Sequence, residues 1–404
     1  MASSGLRDRL RRIREQGRPG GLPPDSVPAG GRPEAPRNAA GEEAARADCF
    51  SGWESAGRQT LRRRLVLDPP LAFPGGFPAF LPVLVPDLRA VLPLSPTDEG
   101  PRPSPEDLLF FDLETTGLSG GAGTVAFLAA FGNLLPAPSK GGYIPQKQGK
   151  DRPFGREEPV SADSALTGYK LRLTQYLLLD YPGESDFLEA LLGEFASAAS
   201  PSGAGNPGEG GPSGRSRPPV VVSYNGKTFD SQILKNRCLM NGVRPPEYLH
   251  ADLLYPARRL WKRILPNCSQ AEIETSVLGL DRSGDIPGAL APDIWFDFLK
   301  TGIARPLLGI CEHNKKDILG LAAIFAALSH IAADPEGLHK RYNYDVENLA
   351  FRFRRESRRA PSHCPVELPR TGERLLRLAA EQGCPGALRA LAVEAEWRLA
   401  DFSL

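Results

Sequence analysis

The chain has 404 residues, 41% of them apolar, with 49 basic and 48 acidic side chains for a net charge of +1. That length holds one large domain with additions, or two domains, and the even balance excludes a polyanion-binding surface spread over the whole molecule, so any nucleic-acid contact must be a local patch. Six cysteines (Cys49, Cys238, Cys268, Cys311, Cys364 and Cys384) are scattered without a C-x-x-C pair, which argues against a zinc finger, an iron–sulfur cluster or a secreted disulfide framework.

Residues 1–47 are rich in Arg, Gly and Pro and read as a disordered basic tail without a signal-peptide core. Within it, Leu6, Leu10 and Ile13 mark one face of a marginal amphipathic helix. Residues 48–104 read as an N-terminal extension. Strand-like runs follow at Leu108–Leu113, Thr124–Leu134, Leu171–Leu179 and Val220–Tyr224, with Gly/Pro/Ser-rich flexible inserts at 136–164 and 200–218. The third strand leads into a helical pattern over Glu184–Ala199, and the fourth into Phe229–Asn241, closed by Gly242. Helical runs dominate from Tyr255 to Ile331, and no apolar run reads as a membrane span. A cytoplasmic location and no membrane partner are the expectations. Strands first, then helices interleaved with one more parallel strand, predict a mixed α/β layer fold. Its core is placed at 105–335, followed by a C-terminal helical extension at 336–404. Residues 365–404 form a helical hairpin broken at Gly383–Gly386.

The most informative stretch is Leu108–Leu118, Leu-Leu-Phe-Phe-Asp-Leu-Glu-Thr-Thr-Gly-Leu. In a strand, Asp112 and Glu114 project from the same side, where two carboxylates repel and lose hydration unless a cation sits between them. A strand end with two solvated acids is the competing reading. Val220–Asp230 repeats the pattern: an apolar run, the turn signal Asn225-Gly226, and Asp230 at a helix start, where it is either a ligand or a helix cap. The third piece, Cys311-Glu-His-Asn-Lys-Lys-Asp317, puts His313 and Asp317 on one helix face and points Glu312 elsewhere. Four carboxylates and an imidazole suit two Mg²⁺ or Mn²⁺ ions roughly 4 Å apart, activating water for attack on a phosphodiester. No Walker loop, nucleophile elbow or dinucleotide fingerprint competes.

These segments carry a resemblance. Asp-Leu-Glu-Thr-Thr-Gly-Leu at 112–118, Tyr-Asn-Gly-Lys-Thr-Phe-Asp at 224–230 and His-Asn-Lys-Lys-Asp at 313–317 resemble the three motifs of the DEDD 3′–5′ exonucleases. The closer likeness is to the YprB-type ribonuclease H-like family, carried also by His250–Trp261, Cys268–Glu274 and Asp285-Ile-Pro-Gly288. The resemblance spans about Leu108–Ala327. It implies a ribonuclease H-like mixed sheet flanked by helices and a two-metal 3′–5′ exonuclease acting on single-stranded DNA or RNA. It also implies that Asp112 bridges both ions, Glu114 and Asp317 hold the one that binds the attacking water, Asp230 serves the leaving-group ion, and His313 orients or deprotonates the water. His313 precedes Asp317 by four residues, the spacing of the tyrosine in Tyr-type members, so a role as hydrogen-bond partner to a ligand stands beside that of general base. Thr115, Gly117, Leu118, Asn225 and Lys227 are the expected substrate contacts.

Two other readings remain at this stage: a non-catalytic nucleic-acid or protein-binding module that keeps the fold, and an endonuclease using the same centre. Arg258, Arg259, Lys262 and Arg263 make a basic helix face, either solvated or touching phosphate. Trp261 and Trp295 read as core, with base stacking as the alternative. His250 and Asp252 close another strand and are expected to stabilise the fold. The C-terminal hairpin resembles half of a tetratricopeptide-like unit, too little for an independent solenoid, and is expected to dock on the core or to offer a surface to a protein partner.

Overall fold

The computed structural model describes residues 49–92, 94, 103–117, 123–137, 168–198, 218–359 and 365–399. The tail at 1–47, most of both inserts, Leu118 and Cys364 lie outside the described residues.

Seven strands form one sheet: β1 (Glu54–Gly57), β2 (Thr60–Leu67), β3 (Leu108–Thr115), β4 (Ala126–Pro136), β5 (Tyr169–Leu178), β6 (Val220–Ser223) and β7 (Leu249–Asp252), in the order β1-β2-β5-β4-β3-β6-β7. The β1 to β3 side is antiparallel throughout, whereas β6 and β7 run parallel to β3. Segment 48–104 contributes two strands to the sheet: β2 pairs along β5, with Thr60 opposite Leu178 and Leu67 opposite Leu171, and β1 pairs with β2. The sequence reading missed them because β2 carries three consecutive arginines, Arg62–Arg64, on a half-exposed ribbon, which resembles a polar segment until its partner is known.

β3 is buried on both faces. Leu108 and Phe110 enter one apolar cluster, and Leu109, Phe111 and Leu113 enter the other. A central strand with both faces covered has no polar side to display, which explains its unbroken apolar start.

Counting helices of seven residues or more, α1 (Glu184–Ala198) follows β5, α2 (Asp230–Met240) follows β6, and α3 (Leu254–Trp261) follows β7. Then come α4 (Gln270–Ser276), α5 (Ala291–Thr301) and the 29-residue α6 (Arg305–Ala333). α6 packs Ile318, Leu321, Ala322 and Phe325 on the Leu108/Phe110 face of the sheet. By length and composition α6 is apolar enough to cross a bilayer, contrary to the expectation that no such run exists. Its most apolar window is 72% buried within the fold. Its second half is apolar on every side because protein surrounds it.

The C-terminal region contributes α7 (Val346–Arg359), α8 (Glu367–Glu381) and α9 (Pro385–Glu394). The turn between α8 and α9 falls at Gly383, whose φ of +76° is left-handed, as the sequence break predicts. Leu349, Phe353, Leu368, Leu375 and Ala387 join the same cluster as Phe110 and Phe325. Arg352 clamps the backbone oxygen of Val83 with two hydrogen bonds of 3.1 and 3.0 Å. Both tryptophans are core residues: Trp261 and Trp295 are fully buried, and their ring N–H groups donate to Tyr342 O and Leu178 O, each at 2.9 Å.

Candidate metal centre

Because β3, β6 and β7 are parallel, their carboxyl ends open on one sheet edge, where α/β folds form crevices. β3 delivers Asp112 and Glu114 there on the face shared with Leu108 and Phe110, beneath α6. The β3–β4 register shifts between Glu114 and Thr115, so the regular ladder ends just past the second acid. Thr115 Oγ1 then donates to Gly117 O at 2.9 Å, and Val125 N–H donates to Thr116 Oγ1 at 2.9 Å, so this bend is held by its own hydrogen bonds.

After β6 the chain turns through Asn225, whose φ is +64°. Asn tolerates this conformation through local hydrogen bonds, here with Thr228 Oγ1 donating to its side-chain oxygen at 3.0 Å. The turn is fastened from β7. The buried Asp252 carboxylate accepts the N–H groups of Asn225 (2.7 Å), Lys227 (3.1 Å) and Leu254 (3.1 Å). A Cβ at Gly226 would lie 2.7 Å from Ser223 Cβ and 2.9 Å from Asp230 Oδ2, so only glycine lets the turn close this tightly. Asp230 is the first residue of α2 but not its cap, a position held by Phe229. It is buried, and its charge bears on Asp112 and Glu114. His250 sits behind the turn between Ser223 Oγ (2.7 Å) and Ser231 Oγ (3.1 Å), as expected of a residue that stabilises the fold.

α6 supplies the remaining groups. Asn314 Nδ2 donates to Asp112 Oδ2 at 2.7 Å, and Gln175 on β5 donates to Asn314 Oδ1 at 2.9 Å, which fixes the amide orientation. Arg63 on β2 in turn donates to Gln175 Oε1 at 2.7 Å. One residue before Asn314, His313 Nε2 lies 3.2 Å from Asp317 Oδ2 and 3.9 Å from Glu114 Oε1, while His313 Nδ1 lies 2.9 Å from Asp285 Oδ2. Burial works to raise the Asp285 carboxyl, but hydrogen bonds from Arg282 and His313 outweigh it and hold the group below its ordinary range. An ionised Asp285 accepts a hydrogen bond from Nδ1–H and leaves Nε2 facing the two acids. Lys316 Nζ lies 3.6 Å from Asp285 Oδ1, and Arg282 is the closer cation. It donates to Asp317 Oδ1 (2.6 Å) and Asp285 Oδ2 (2.9 Å), and is itself gripped by Glu274. Glu312 points away to Arg63 and Lys315, as its place on the helix predicts.

The groups line a cleft of about 220 Å³ together with Tyr224 and Pro292. Burial, then Asp317 and Asp230, push the Asp112 carboxyl well above the ordinary range. Glu114 is raised by the same causes, and Asp230 is pushed up to about 7 by burial and then by Asp252. Glu114, His313 and Asp317 each offer a ligand atom within 4.8 Å of the others. Hard oxygen donors, an imidazole and the carboxylates of Asp112, Glu114 and Asp230, which no side-chain cation touches among the described residues, fit a divalent ion such as Mg²⁺ or Mn²⁺.

Of the expected substrate contacts, Thr115 and Asn225 line the cleft and Gly117 caps the bend beside it. Leu118 lies outside the described residues. Lys227 belongs to the turn, but its ammonium pairs with Asp87 at 2.7 Å and borders a neighbouring cavity with Tyr255 and Arg259. Sequence reasoning assigned no role to Asn314, Gln175, Arg282 or Asp285. Asp285 and Glu274 stand inside segments already singled out, yet no spacing rule connects Asp285 to a histidine 28 residues away.

The fold and site define a ribonuclease H-like class, and a model of the RNase_H superfamily matches residues 213–329. The chain is also 31% identical over 226 residues to the uncharacterized protein YprB of Bacillus subtilis (strain 168), covering 55% of this chain and 42% of that protein. With the fold, these matches support a YprB-type ribonuclease H-like protein. It spans less than half the length of that relative.

Proposed function

We propose that the chain is a metal-dependent nuclease, a 3′–5′ exonuclease acting on single-stranded DNA or RNA with two Mg²⁺ or Mn²⁺ ions. The observation that carries this reading is the convergence of Asp112, Glu114, Asp230 and Asp317 from three separate elements in one cleft. A soluble fold gains nothing by crowding four acids there, because each desolvated charge opposes the others. Bound divalent ions would offset that charge, acidify the attacking water and stabilise the departing oxygen. Asp112, Glu114, Asp230 and Asp317 are the residues that would hold them.

The remaining chemistry belongs to the chain. His313 presents Nε2 to Glu114 and Asp317, which makes it either a ligand of the same ion or the acceptor of the water proton. Asp285 holds the ring in the tautomer that both roles require. Asn314 keeps one Asp112 oxygen engaged so that the other faces the cleft. Thr115, Gly117 and Asn225 supply the backbone approach for the terminal nucleotide. Lys227 reaches a phosphate once its pair with Asp87 opens.

The test is a panel of 5′- and 3′-labelled DNA and RNA, single- and double-stranded, incubated with Mn²⁺. Stepwise loss from the 3′ end is expected, with Asp112→Ala reducing it by about three orders of magnitude or more. Internal cuts would replace the exonuclease reading with an endonuclease at the same centre. No cleavage by either protein would leave a non-catalytic module.

A further inference from the structure

A cleft of about 660 Å³, three times the volume of the one at the carboxylates, lies between α7 and α9. Arg354, Arg355, Arg358 and Arg389 line it with Phe351 and Trp397. Arg354 is neutralised by Glu394 at 3.0 Å, and Arg355 reaches Glu356 only at 4.0 Å. Arg358 and Arg389 have no acidic partner among the described residues. Trp397 is 79% exposed and Phe351 39%, so two aromatic faces stand open beside uncompensated guanidinium groups. Guanidinium groups match phosphate oxygens in a fixed fork, and open aromatic rings stack bases without regard to sequence.

Further cations lie between this cleft and the carboxylates. After burial, Asp87 acts most strongly on Arg259 of α3, followed by Arg355, Arg89 and Glu356, so these charged groups lie close together. Arg259 shares a second cavity with Lys227 and Tyr255. Lys227 belongs to the turn whose Asn225 and Asp230 border the candidate metal centre. Arg355, Arg259 and Lys227 thus lie between the two clefts, interleaved with Glu356 and with Asp87, which pairs with Lys227 at 2.7 Å. An acidic protein segment would satisfy the arginines, as the sequence-based expectation of a protein partner allows, but it leaves the open faces of Phe351 and Trp397 unused.

We propose that the cleft between α7 and α9 binds single-stranded nucleic acid and guides it past Arg355, Arg259 and Lys227 toward the carboxylates. The destination rests on the nuclease reading, whereas the binding itself does not. The experiment is fluorescence anisotropy of the full-length chain with labelled single strands of thymidine or uridine nucleotides, in EDTA so that nothing turns over. The double variant Arg358→Glu/Arg389→Glu is expected to bind at least about tenfold more weakly, with the salt slope reduced by about 0.7 per lost phosphate contact. Trp397→Ala is expected to weaken binding about fivefold or more. All three side-chain changes lie at the cleft surface, and an unchanged thermal midpoint verifies the fold.

Affinity and salt slope equal to wild type in both folded variants would overturn the proposal. So would poly-glutamate binding that the charge reversals abolish while strand affinity stays unchanged. Strand binding that needs this cleft in a protein that cuts nothing would remove the nuclease reading and leave the cleft assignment standing. Cleavage by a protein whose cleft variants bind and degrade like wild type would do the reverse.

Discussion

Asp112, Glu114 and Asp230 crowd into one cleft where burial opposes their charges and no side-chain cation touches them among the described residues. Their folded pKa values all lie above the ordinary carboxylate range, so the sign of the pH effect follows. Each group's share of stability is fully present below its unfolded value of about 4 and is lost as the pH climbs through the folded one, about 7 for Asp230. Without divalent ions, the thermal midpoint is expected to fall as the pH rises from about 5 to about 8. Mn²⁺ at a hundredfold excess over its Kd returns about 2.7 kcal/mol. Asp112→Asn removes one of the repelling charges, so it should melt above wild type in EDTA and gain less from Mn²⁺. A wild-type midpoint indifferent to Mn²⁺ at pH 8 would remove the metal reading. The pair Asp112 and Glu114 was legible in the sequence because i and i+2 on a strand share a face. What their neighbours do was not: Asn314 reaches Asp112 across 202 residues and Asp285 reaches His313 across 28.

α6 carries both the core contacts and half of the site, so its seat on the sheet couples stability to geometry. It rests on β4 at Gly132, where an added Cβ would meet Ile318 Cγ2 at 2.7 Å, Phe110 Cβ at 3.2 Å and Leu171 Cδ1 at 3.3 Å. Gly132→Ala is expected to cost roughly 1–3 kcal/mol in a denaturant titration, because a packed interior cannot absorb a methyl group without moving a neighbour. The helix must shift at Ile318, next to Asp317 and just over one turn from His313, so the proposed nuclease activity should fall further than the stability loss explains at a temperature where the chain remains folded. Unchanged activity would show that the seat of α6 does not set the position of its ligands. The existence of α6 was plain from its apolar pattern, as were β3, β4, β5 and β6. Its depth of burial was not, since a helix that is apolar all round reads alike in a core and in a bilayer.

The whole molecule is knit by segments far apart in the chain. β2 covers the outer side of β5, and from it Arg63 reaches Gln175 and Glu312, some 112 and 249 residues away. Removing residues 1–68 would leave β5 as a long unpaired edge and release the Arg63–Gln175–Asn314–Asp112 chain. The truncated protein is expected to aggregate on size-exclusion chromatography. A monodisperse truncation with wild-type activity would show that β1 and β2 are dispensable. By itself the sequence determined the mixed α/β class, the central strands, the hairpin at Gly383 and the four acids, because burial periodicity and turn chemistry are local properties of the chain. Only the tertiary structure decided that the N-terminal strands complete the sheet, that Asp252 fastens the Asn225 turn and that Arg282 and Asp285 brace His313 and Asp317. It alone also decided that arginines of α7 and α9 share a cleft with Trp397. Each of these depends on which distant residues meet, and a contact between distant residues leaves no period or spacing in a single sequence.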